Sequence, residues 1–183
     1  MKVIKLGGSL ERCGALQDCL LKALGFREQG VVVVPGGGDF AEQVRLSQQR
    51  WAFDDQAAHE MAILAMRQMA RLVQAICRDF TIASTLDDIV GLLEGGNPVV
   101  WAPDVVELNR FGIPASWEVT SDSLAAWLAE RLKADELILV KSAPIRSASH
   151  VLEYVDAGVV DPAFPRFTER ALYKITIVDK DSF

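Results

Sequence analysis

Short apolar runs alternate along the chain with longer stretches whose apolar residues recur at helical spacing. The short runs are rich in valine and isoleucine, and they predict buried strands. These strands are expected at residues 3–6, 31–34, 81–84, 98–102, 137–140 and 175–178. Apolar residues three and four positions apart predict helices at 15–24, 39–49, 54–78 and 151–156.

Capping residues mark two further helices. One is expected to begin at Thr85 or Asp87 and to end at Gly95-Gly96. The other follows the polar residues 120–123, which supply N-cap chemistry, and reaches Lys133. Strands that alternate with helices predict an α/β fold with a mainly parallel sheet and helices on both faces, which is a three-layer α/β/α sandwich. The length favours one domain over residues 1–183.

Two glycine turns follow the first two predicted strands. Gly7, Gly8 and Ser9 end the first strand, and 36–38 is a run of three glycines after the second. Parallel strands bring both turns to the carboxyl edge of one sheet, where open α/β folds bind their ligands. Glycine backbones approach phosphates closely, and Lys5 stands just before the first turn. One turn can hold the phosphates of a donor and the other can hold an acceptor. The pattern therefore indicates phosphoryl transfer.

Composition narrows the class of protein. The net charge of −6 argues against a general nucleic-acid binder. No apolar run approaches the roughly 18 residues of a membrane span, and the start of the chain lacks the apolar core of a signal peptide. The three cysteines lack the spacing of metal ligands, so reduced thiols and a cytoplasmic location are expected.

Four segments carry a family resemblance. The segments 5–9, 33–41, 120–129 and 134–140 resemble, in order, the signatures of the amino acid kinase superfamily, which includes the aspartate, glutamate and uridylate kinases. The resemblance implies the amino acid kinase type of α/β fold. It also implies an acceptor-binding part at about 1–117 and a shortened nucleotide-binding part at about 118–183. ATP and Mg²⁺ are the implied cofactors, with no direct protein ligand to the metal.

The resemblance also implies roles for individual residues. Lys5 would neutralise charge on the migrating phosphoryl group, and Asp122 would orient the lysines or bind Mg²⁺ through water. The nucleotide phosphates would be held by the first turn and the third signature, namely by Gly7, Gly8, Ser9 and Thr120. The acceptor would approach Gly36, Gly37 and Gly38.

The chain departs from the family pattern at two points. Lys141 stands where relatives often have an aspartate, and the usual second catalytic lysine is absent from the C-terminal region. We hypothesise that Lys141 supplies this missing cation. Together with the short nucleotide-binding part, the lysine makes the chain similar to the small kinase of methanofuran biosynthesis, which phosphorylates [5-(aminomethyl)furan-3-yl]methyl phosphate.

Several alternatives stay open. A carboxylate kinase that makes an acyl phosphate, and a nucleotide-sensing module without turnover, both fit the same motifs. A phosphate acceptor requires extra cations near the second glycine turn, for which Arg45 and Arg50 are candidates. Trp117 is close enough in sequence to the third signature to line an acceptor pocket.

The start of the long predicted helix offers a second group of candidates. Asp55 and His59 lie four residues apart and so share a helix face, where Asp55 can pair with the ammonium group of an acceptor and His59 can bind the acceptor or relay a proton. The alternative is an acidic residue favoured by the helix dipole beside a packed histidine. This helix is apolar enough to form the interface of a homodimer.

Overall fold

Six strands form one sheet in which every neighbouring pair is parallel. The computed structural model describes residues 1–146, 148 and 150–183. The strands are β1 (Lys2–Leu6), β2 (Val31–Pro35), β3 (Thr81–Ala83), β4 (Val99–Trp101), β5 (Glu136–Lys141) and β6 (Lys174–Asp179). Their order across the sheet is β3-β4-β2-β1-β5-β6. The predicted fold class is therefore confirmed, and β1 lies in the middle of the sheet beside both β2 and β5.

The helices lie in the connections between these strands. They are α1 (Ser9–Arg12), α2 (Leu16–Leu24), α3 (Gly38–Trp51), α4 (Asp55–Ile76), α5 (Leu86–Glu94), α6 (Val105–Arg110), α7 (Ser121–Arg131), α8 (Val151–Asp156) and α9 (Phe164–Thr168). A 3₁₀ turn occupies Arg27–Gln29. The sequence predicted every helix except α1, α6 and α9. These three helices have four, six and five residues, at most two turns, so the sequence offers little periodicity by which to identify them.

The alternation of side chains along each strand divides the core into two layers. Val3 of β1 packs on one face with Val32, Leu137 and the buried side of α7. Ile4 and Leu6 pack on the other face with residues of α2 and the C-terminal half of α4. Because successive side chains of a strand point to opposite faces, both layers of helices are anchored to the same few strands. The three predicted layers follow from this arrangement.

Local chemistry explains most helix boundaries. Asp54 and Thr85 are the N-caps of α4 and α5, and each side chain accepts a hydrogen bond from the first turn of its helix. The predicted end of α7 at Lys133 is wrong by two residues. Lys133 has a φ of 51°, a left-handed conformation that cannot continue an α-helix, so α7 ends at Arg131.

Glu136 links three strands at the amino edge of the sheet. Its buried carboxylate, at the start of β5, pairs with Lys2 of β1 and lies 2.9 Å from Lys174 Nζ of β6. It also accepts a 2.5 Å hydrogen bond from Thr176. Burial opposes ionisation, but the bonds from Lys2, Thr176 and Lys174 outweigh it and lower the pKa of Glu136 to about 2. A charged side chain therefore ties β5 to both of its neighbours.

None of the helices described here combines the length and the apolar character that crossing a membrane requires.

Candidate functional site

The carboxyl edge of the sheet brings together the groups that the sequence singled out. In the sheet register, Lys5 of β1 stands opposite Val34 of β2 on one side and Leu139 of β5 on the other. The first glycine turn leaves β1, the second leaves β2, and Lys141 ends β5. Since α7 begins over the same edge, Asp122 in its first turn faces the two lysines.

Lys5, Asp122 and Lys141 form a buried cluster of three charges, which we call the triad. The Nζ atom of Lys5 lies 2.7 Å from one oxygen of Asp122. The Nζ atom of Lys141 lies 2.9 Å and 2.8 Å from the two oxygens of the same carboxylate. The side chains of Lys5 and Asp122 are almost fully buried, and that of Lys141 keeps 15% of its surface exposed. The triad therefore carries one excess positive charge in a site largely shielded from water.

The surroundings of the triad change how its groups ionise. Burial of Asp122 opposes its negative charge, but the charges of Lys5 and Lys141 outweigh this effect and lower the pKa of the carboxyl. Burial and the neighbouring Lys5 ammonium lower the pKa of Lys141 to about 8, although Asp122 acts in the opposite direction. Lys141 is therefore a cation at neutral pH that loses its proton more readily than an ordinary lysine.

The first glycine turn lies directly beside the triad. A Cβ built on Gly7 would lie 3.9 Å from Lys5 Nζ. However, the Gly7 N–H donates to the carbonyl of Val140 at 3.1 Å, so it is not available to a phosphate. The predicted set of backbone donors is thereby reduced to Gly8 and Ser9. The Ser9 hydroxyl lies 2.7 Å from that of Ser142, which ties the turn to the end of β5.

The two glycine turns pack against each other backbone to backbone. A Cβ on Gly8 would lie 2.5 Å from the Gly38 nitrogen, and a Cβ on Gly36 would lie 2.6 Å from the Gly8 nitrogen. Gly38 also has a φ of +56°, which favours glycine. The Gly36 N–H donates to the Leu6 carbonyl at 2.9 Å. The glycines at 8 and 36 are thus required by this contact and Gly38 by its backbone conformation, whatever ligand the turns bind.

A cavity of about 250 Å³ opens between α3, α4 and the start of α7, and we call it the helix cavity. Its lining includes most of the predicted acceptor-site residues, namely Gly37, Gly38, Asp55 and His59, together with Thr120. Gly36 is not among the lining residues. An apolar wall is formed by Ile63, Met66 and Leu124. The predicted face of α4 that carries Asp55 and His59 therefore borders an enclosed space of the size of a small molecule.

His59 is a buried polar residue in the wall of the helix cavity. The residue is 6% exposed, and its Nε2 atom has no hydrogen-bond partner among the described residues. Burial lowers the pKa of His59, so the imidazole is neutral near pH 7. A buried nitrogen without a partner is costly in a folded protein. A bound ligand would supply the missing hydrogen bond.

A chain of hydrogen bonds closes one side of the helix cavity. The Trp117 indole N–H donates to Gln48 Oε1 at 2.6 Å, and Gln48 Nε2 donates to an Asp55 oxygen at 2.9 Å. Trp117 is thereby held over the cavity, as its proximity to the third signature suggested. Asp55 keeps further lone pairs for a cation, because Gln48 uses only one of them.

A second cavity of about 380 Å³, which we call the lysine cavity, adjoins the first. It is lined by Asp122 and Lys141 on one side and by residues 158–162 on the other. The two cavities share Arg45, Trp117 and Thr120. The Arg45 guanidinium stacks on the Trp117 ring at 4.3 Å and forms no ion pair with the described residues. Of the two candidate arginines, Arg45 therefore faces the site, whereas Arg50 stacks on the exposed Trp51.

The capping of α7 differs from the prediction. Thr120 occupies the N-cap position, but its side chain does not cap the helix. Its N–H and its hydroxyl both donate to Asp161, at 3.0 Å and 2.8 Å. Neither is free to donate to a phosphate in this arrangement. Sequence reasoning missed Asp161, because it lies far along the chain in a region with weak periodicity.

No cluster of three or more His, Cys, Asp or Glu side chains suited to a metal ion occurs within residues 1–146, 148 and 150–183. Asp122, the carboxylate at the centre of the site, already contacts two lysines. A Mg²⁺ ion here would be held by nucleotide phosphates and water, which is a common mode for this metal.

Comparison with known proteins agrees with this geometry. The model of the amino acid kinase family matches residues 1–145. The chain belongs to the amino acid kinase family. The family membership that four short motifs predicted is thus confirmed.

A curated relative and several solved structures refine this placement. The relative is the [5-(aminomethyl)furan-3-yl]methyl phosphate kinase of Methanocaldococcus jannaschii, 29% identical over 143 residues. That match covers 76% of this chain and 64% of the relative, so the chain spans less than two thirds of its length. Archaeoglobus fulgidus uridylate kinase superposes with a TM-score of 0.76 at 22% identity, covering 100% of this chain and 93% of that one. Synechocystis aspartate kinase superposes with a TM-score of 0.70 at 16% identity, covering 98% and 37%. At these identities the structures support the fold.

Proposed function

We propose that this protein is a kinase that transfers the γ-phosphoryl group of Mg-ATP to a small-molecule acceptor. The observation that carries the proposal is the triad, in which two lysines converge on one buried carboxylate that borders the lysine cavity. In the reaction the bond between the γ-phosphorus and the ADP oxygen breaks, and a bond from phosphorus to an acceptor oxygen forms. Such a transfer needs positioning and positive charge rather than a covalent intermediate.

The triad supplies what this transfer needs. Lys5 and Lys141 would place two ammonium groups beside the oxygens of the migrating group, and Asp122 holds both side chains in place. Lys141 thereby takes over the role of the second lysine that other family members carry in the C-terminal region. Gly8 and Ser9 would offer backbone N–H groups to the nucleotide phosphates. When bound, Mg²⁺ would neutralise further phosphate charge without a direct protein ligand.

The acceptor is a phosphate monoester, and Arg45 supports this choice over a carboxylate. Its guanidinium, which has no ion-pair partner in the described part of the chain, borders both cavities, where it can hold the phosphate that receives the new phosphoryl group. The resulting product is a diphosphate. A carboxylate acceptor would make an acyl phosphate and would not need this additional cation.

The far end of the acceptor carries an amine. Asp55 lines the helix cavity and can pair with an ammonium, and neutral His59 can add one hydrogen bond. The apolar wall of the same cavity suits a flat ring. The relative named for [5-(aminomethyl)furan-3-yl]methyl phosphate makes that compound the first acceptor to test.

The experiment measures ADP release from Mg-ATP with this furan phosphate, beside glutamate, aspartate and uridylate as competing acceptors. We expect turnover on the furan phosphate alone, and a loss on the order of 100-fold or more in Lys5→Ala and Lys141→Ala. Lys22→Ala, an exposed lysine of α2, is the matched control and should keep full activity. Full turnover in Lys141→Ala would refute the catalytic assignment of that residue.

The other outcomes separate the remaining hypotheses. Turnover on glutamate or aspartate would indicate a carboxylate kinase. Stabilisation by Mg-ATP in a thermal unfolding experiment, without turnover on any acceptor, would indicate a nucleotide-sensing module. The absence of stabilisation by Mg-ATP would contradict the kinase hypotheses and the nucleotide-sensing hypothesis alike.

We further propose that the protein is cytoplasmic and forms a homodimer through α4. Met61, Leu64 and Ile76 expose large apolar side chains on this helix. Sedimentation analysis of the wild type and of Leu64→Glu tests the interface. Dimerisation would bury the glutamate charge at position 64, so this variant should favour the monomer.

A further inference from the structure

Asp161 is a buried carboxylate that lies outside the group of charges assigned to the reaction. The residue is only 7% exposed, yet it accepts four hydrogen bonds from two residues. One oxygen accepts the N–H and the hydroxyl of Thr120, at 3.0 Å and 2.8 Å, and the N–H of Ser123 at 3.0 Å. The other oxygen accepts the Ser123 hydroxyl. Every partner is a donor, which suits an ionised carboxylate.

The two partners of Asp161 stand on either side of Asp122. Thr120 is the N-cap of α7 and Ser123 is its third residue, so the carboxylate fixes both ends of the first turn. Asp122 lies within that turn and reaches Lys5 and Lys141 from there. Any tilt of the first turn would move the Asp122 carboxylate relative to both ammonium groups.

Asp161 is itself held in place by its own segment. The neighbouring Ala163 N–H donates to the Glu118 carbonyl at 3.1 Å, which joins this segment to the residues that lead into α7. The Val159 N–H donates to the Tyr154 carbonyl at 2.8 Å, which joins it to α8. The same segment lines the lysine cavity opposite Lys141. The C-terminal region thus contributes a fixed carboxylate to the start of α7.

We propose that Asp161 is a positioning residue that fixes the first turn of α7 and thereby holds Asp122 between Lys5 and Lys141. It forms no ion pair with either lysine in the part of the chain that the structure describes. It therefore acts through Asp122 and not on the substrate. The expected loss of kcat rests on the proposed kinase function, whereas the expected change in the exposure of Lys141 does not.

Two substitutions and a control separate positioning from general stability. Asp161→Ala removes both acceptor oxygens and with them all four hydrogen bonds. Asp161→Asn keeps an oxygen for three of the donors, and its amide NH₂ can donate to the Ser123 hydroxyl, which can rotate to accept. Thr85→Ala removes a helix cap of the same kind from α5 and serves as the matched control.

The kinetic test compares kcat and KM on the furan phosphate. We expect Asp161→Ala to lower kcat on the order of 100-fold with KM changed little, because a small misplacement of catalytic groups is enough for such a loss. Asp161→Asn should recover most of kcat, and Thr85→Ala should retain the wild-type value. Wild-type kcat in folded Asp161→Ala, or equal losses in Asp161→Ala and Thr85→Ala, would overturn the proposal.

A second readout does not depend on turnover. An amine-acylating reagent should modify Lys141 slowly in the wild type, where the ammonium is buried against Asp122, and mass spectrometry can measure the rate. We expect faster modification of Lys141 in Asp161→Ala, and wild-type rates in Asp161→Asn and Thr85→Ala. An unchanged rate in Asp161→Ala would refute the positioning role, even if no acceptor is turned over.

Should Asp161→Ala fail to fold, Ser123→Ala provides the same test. It removes one of the four donors and keeps the two N–H bonds to Asp161. We expect a smaller loss of kcat and a smaller gain in Lys141 modification. Wild-type values of both quantities would overturn the proposal.

Discussion

Two carboxylates in this protein each lie between two lysines, at opposite edges of the same sheet. At the amino edge, Glu136 pairs with Lys2 and Lys174, and Lys174 is 71% exposed. At the carboxyl edge, Asp122 pairs with Lys5 and Lys141, and both lysines are largely buried. The ionic pattern is the same, but the second group borders the lysine cavity, whereas the first group lines neither of the two cavities.

The comparison shows that the lysine–carboxylate pattern has two uses here. Around Glu136 the charges join β5 to β1 and β6, and the exposed lysine costs little to keep in water. Around Asp122 the charges are held away from water, beside a glycine turn and an open cavity. A buried ion pair is weak evidence for stability. We therefore assign the first group to stability, and the proposed function rests on the second.

Neutralising the two carboxylates should give the largest contrast. Asp122→Asn leaves Lys5 and Lys141 facing each other without a counter-charge, and we expect kcat to fall on the order of 100- to 1,000-fold. Glu136→Gln, the matched change at the other edge, should leave kcat unchanged. Steady-state kinetics on the furan phosphate measures both. Equal losses of kcat in the two variants would abolish the distinction between the edges.

Removing the guanidinium between the cavities should affect binding rather than turnover. Arg45→Ala loses a charged hydrogen bond to the acceptor phosphate, so we expect KM for the acceptor to rise about 10- to 100-fold. Arg50→Ala, which removes an arginine of the same helix outside both cavities, is the control. A fall in kcat without a change in KM would mean that Arg45 acts on the reacting phosphoryl group and not on the bound acceptor.

The lowered pKa of Lys141 predicts a basic limit to activity. The protonated ammonium is the form that opposes phosphate charge, and it is lost as the pH rises through about 8. We expect kcat/KM, which reports groups of the free enzyme, to fall above this pH. Lys141→Arg keeps its charge to a much higher pH and should remove the limit. The same limit in Lys141→Arg would assign the titration to another group.

The smallest effect is expected in the acid stability of the amino edge. The folded pKa of Glu136 lies below its ordinary 4.5, at about 2. Its contribution to stability is therefore complete above pH 4.5 and is lost as the pH falls through about 2. Urea unfolding of Glu136→Gln should show a deficit of about 1–3 kcal/mol at pH 7 that shrinks toward pH 2. A constant deficit would mean that the hydrogen bonds, and not the charge, stabilise this edge.

Features encoded within a few residues were predictable from the sequence. The strands β2 and β4 and the interior of β5 are continuous apolar runs, because both faces of a parallel sheet are covered there. The two glycine turns and the cap of α5 at Thr85 are also local signals. The meeting of Lys5, Asp122 and Lys141 follows from their places at strand ends and at a helix start.

Contacts between distant segments were not predictable in the same way. The bonds from Thr120 to Asp161 span 41 residues, and nothing near Asp161 marks it as a cap for α7. The chain from Trp117 through Gln48 to Asp55 depends on how α3 packs against the residues before α7. The sequence identifies Gly7 as part of a turn, but it does not show that its N–H donates a hydrogen bond to the distant Val140 carbonyl.

The backbone contact between Gly8 and Gly38 limits how the acceptor range can be changed. Because main-chain atoms meet there, no side-chain rearrangement can alter the separation of the two turns. Substitutions at Asp55 or His59 would change which polar groups are accepted at the far end of the acceptor. The distance from the donor phosphate to the acceptor oxygen would stay constant. Compounds of altered length are therefore expected to be poor substrates of every such variant, whereas compounds of equal length and altered polarity can be accommodated by redesign.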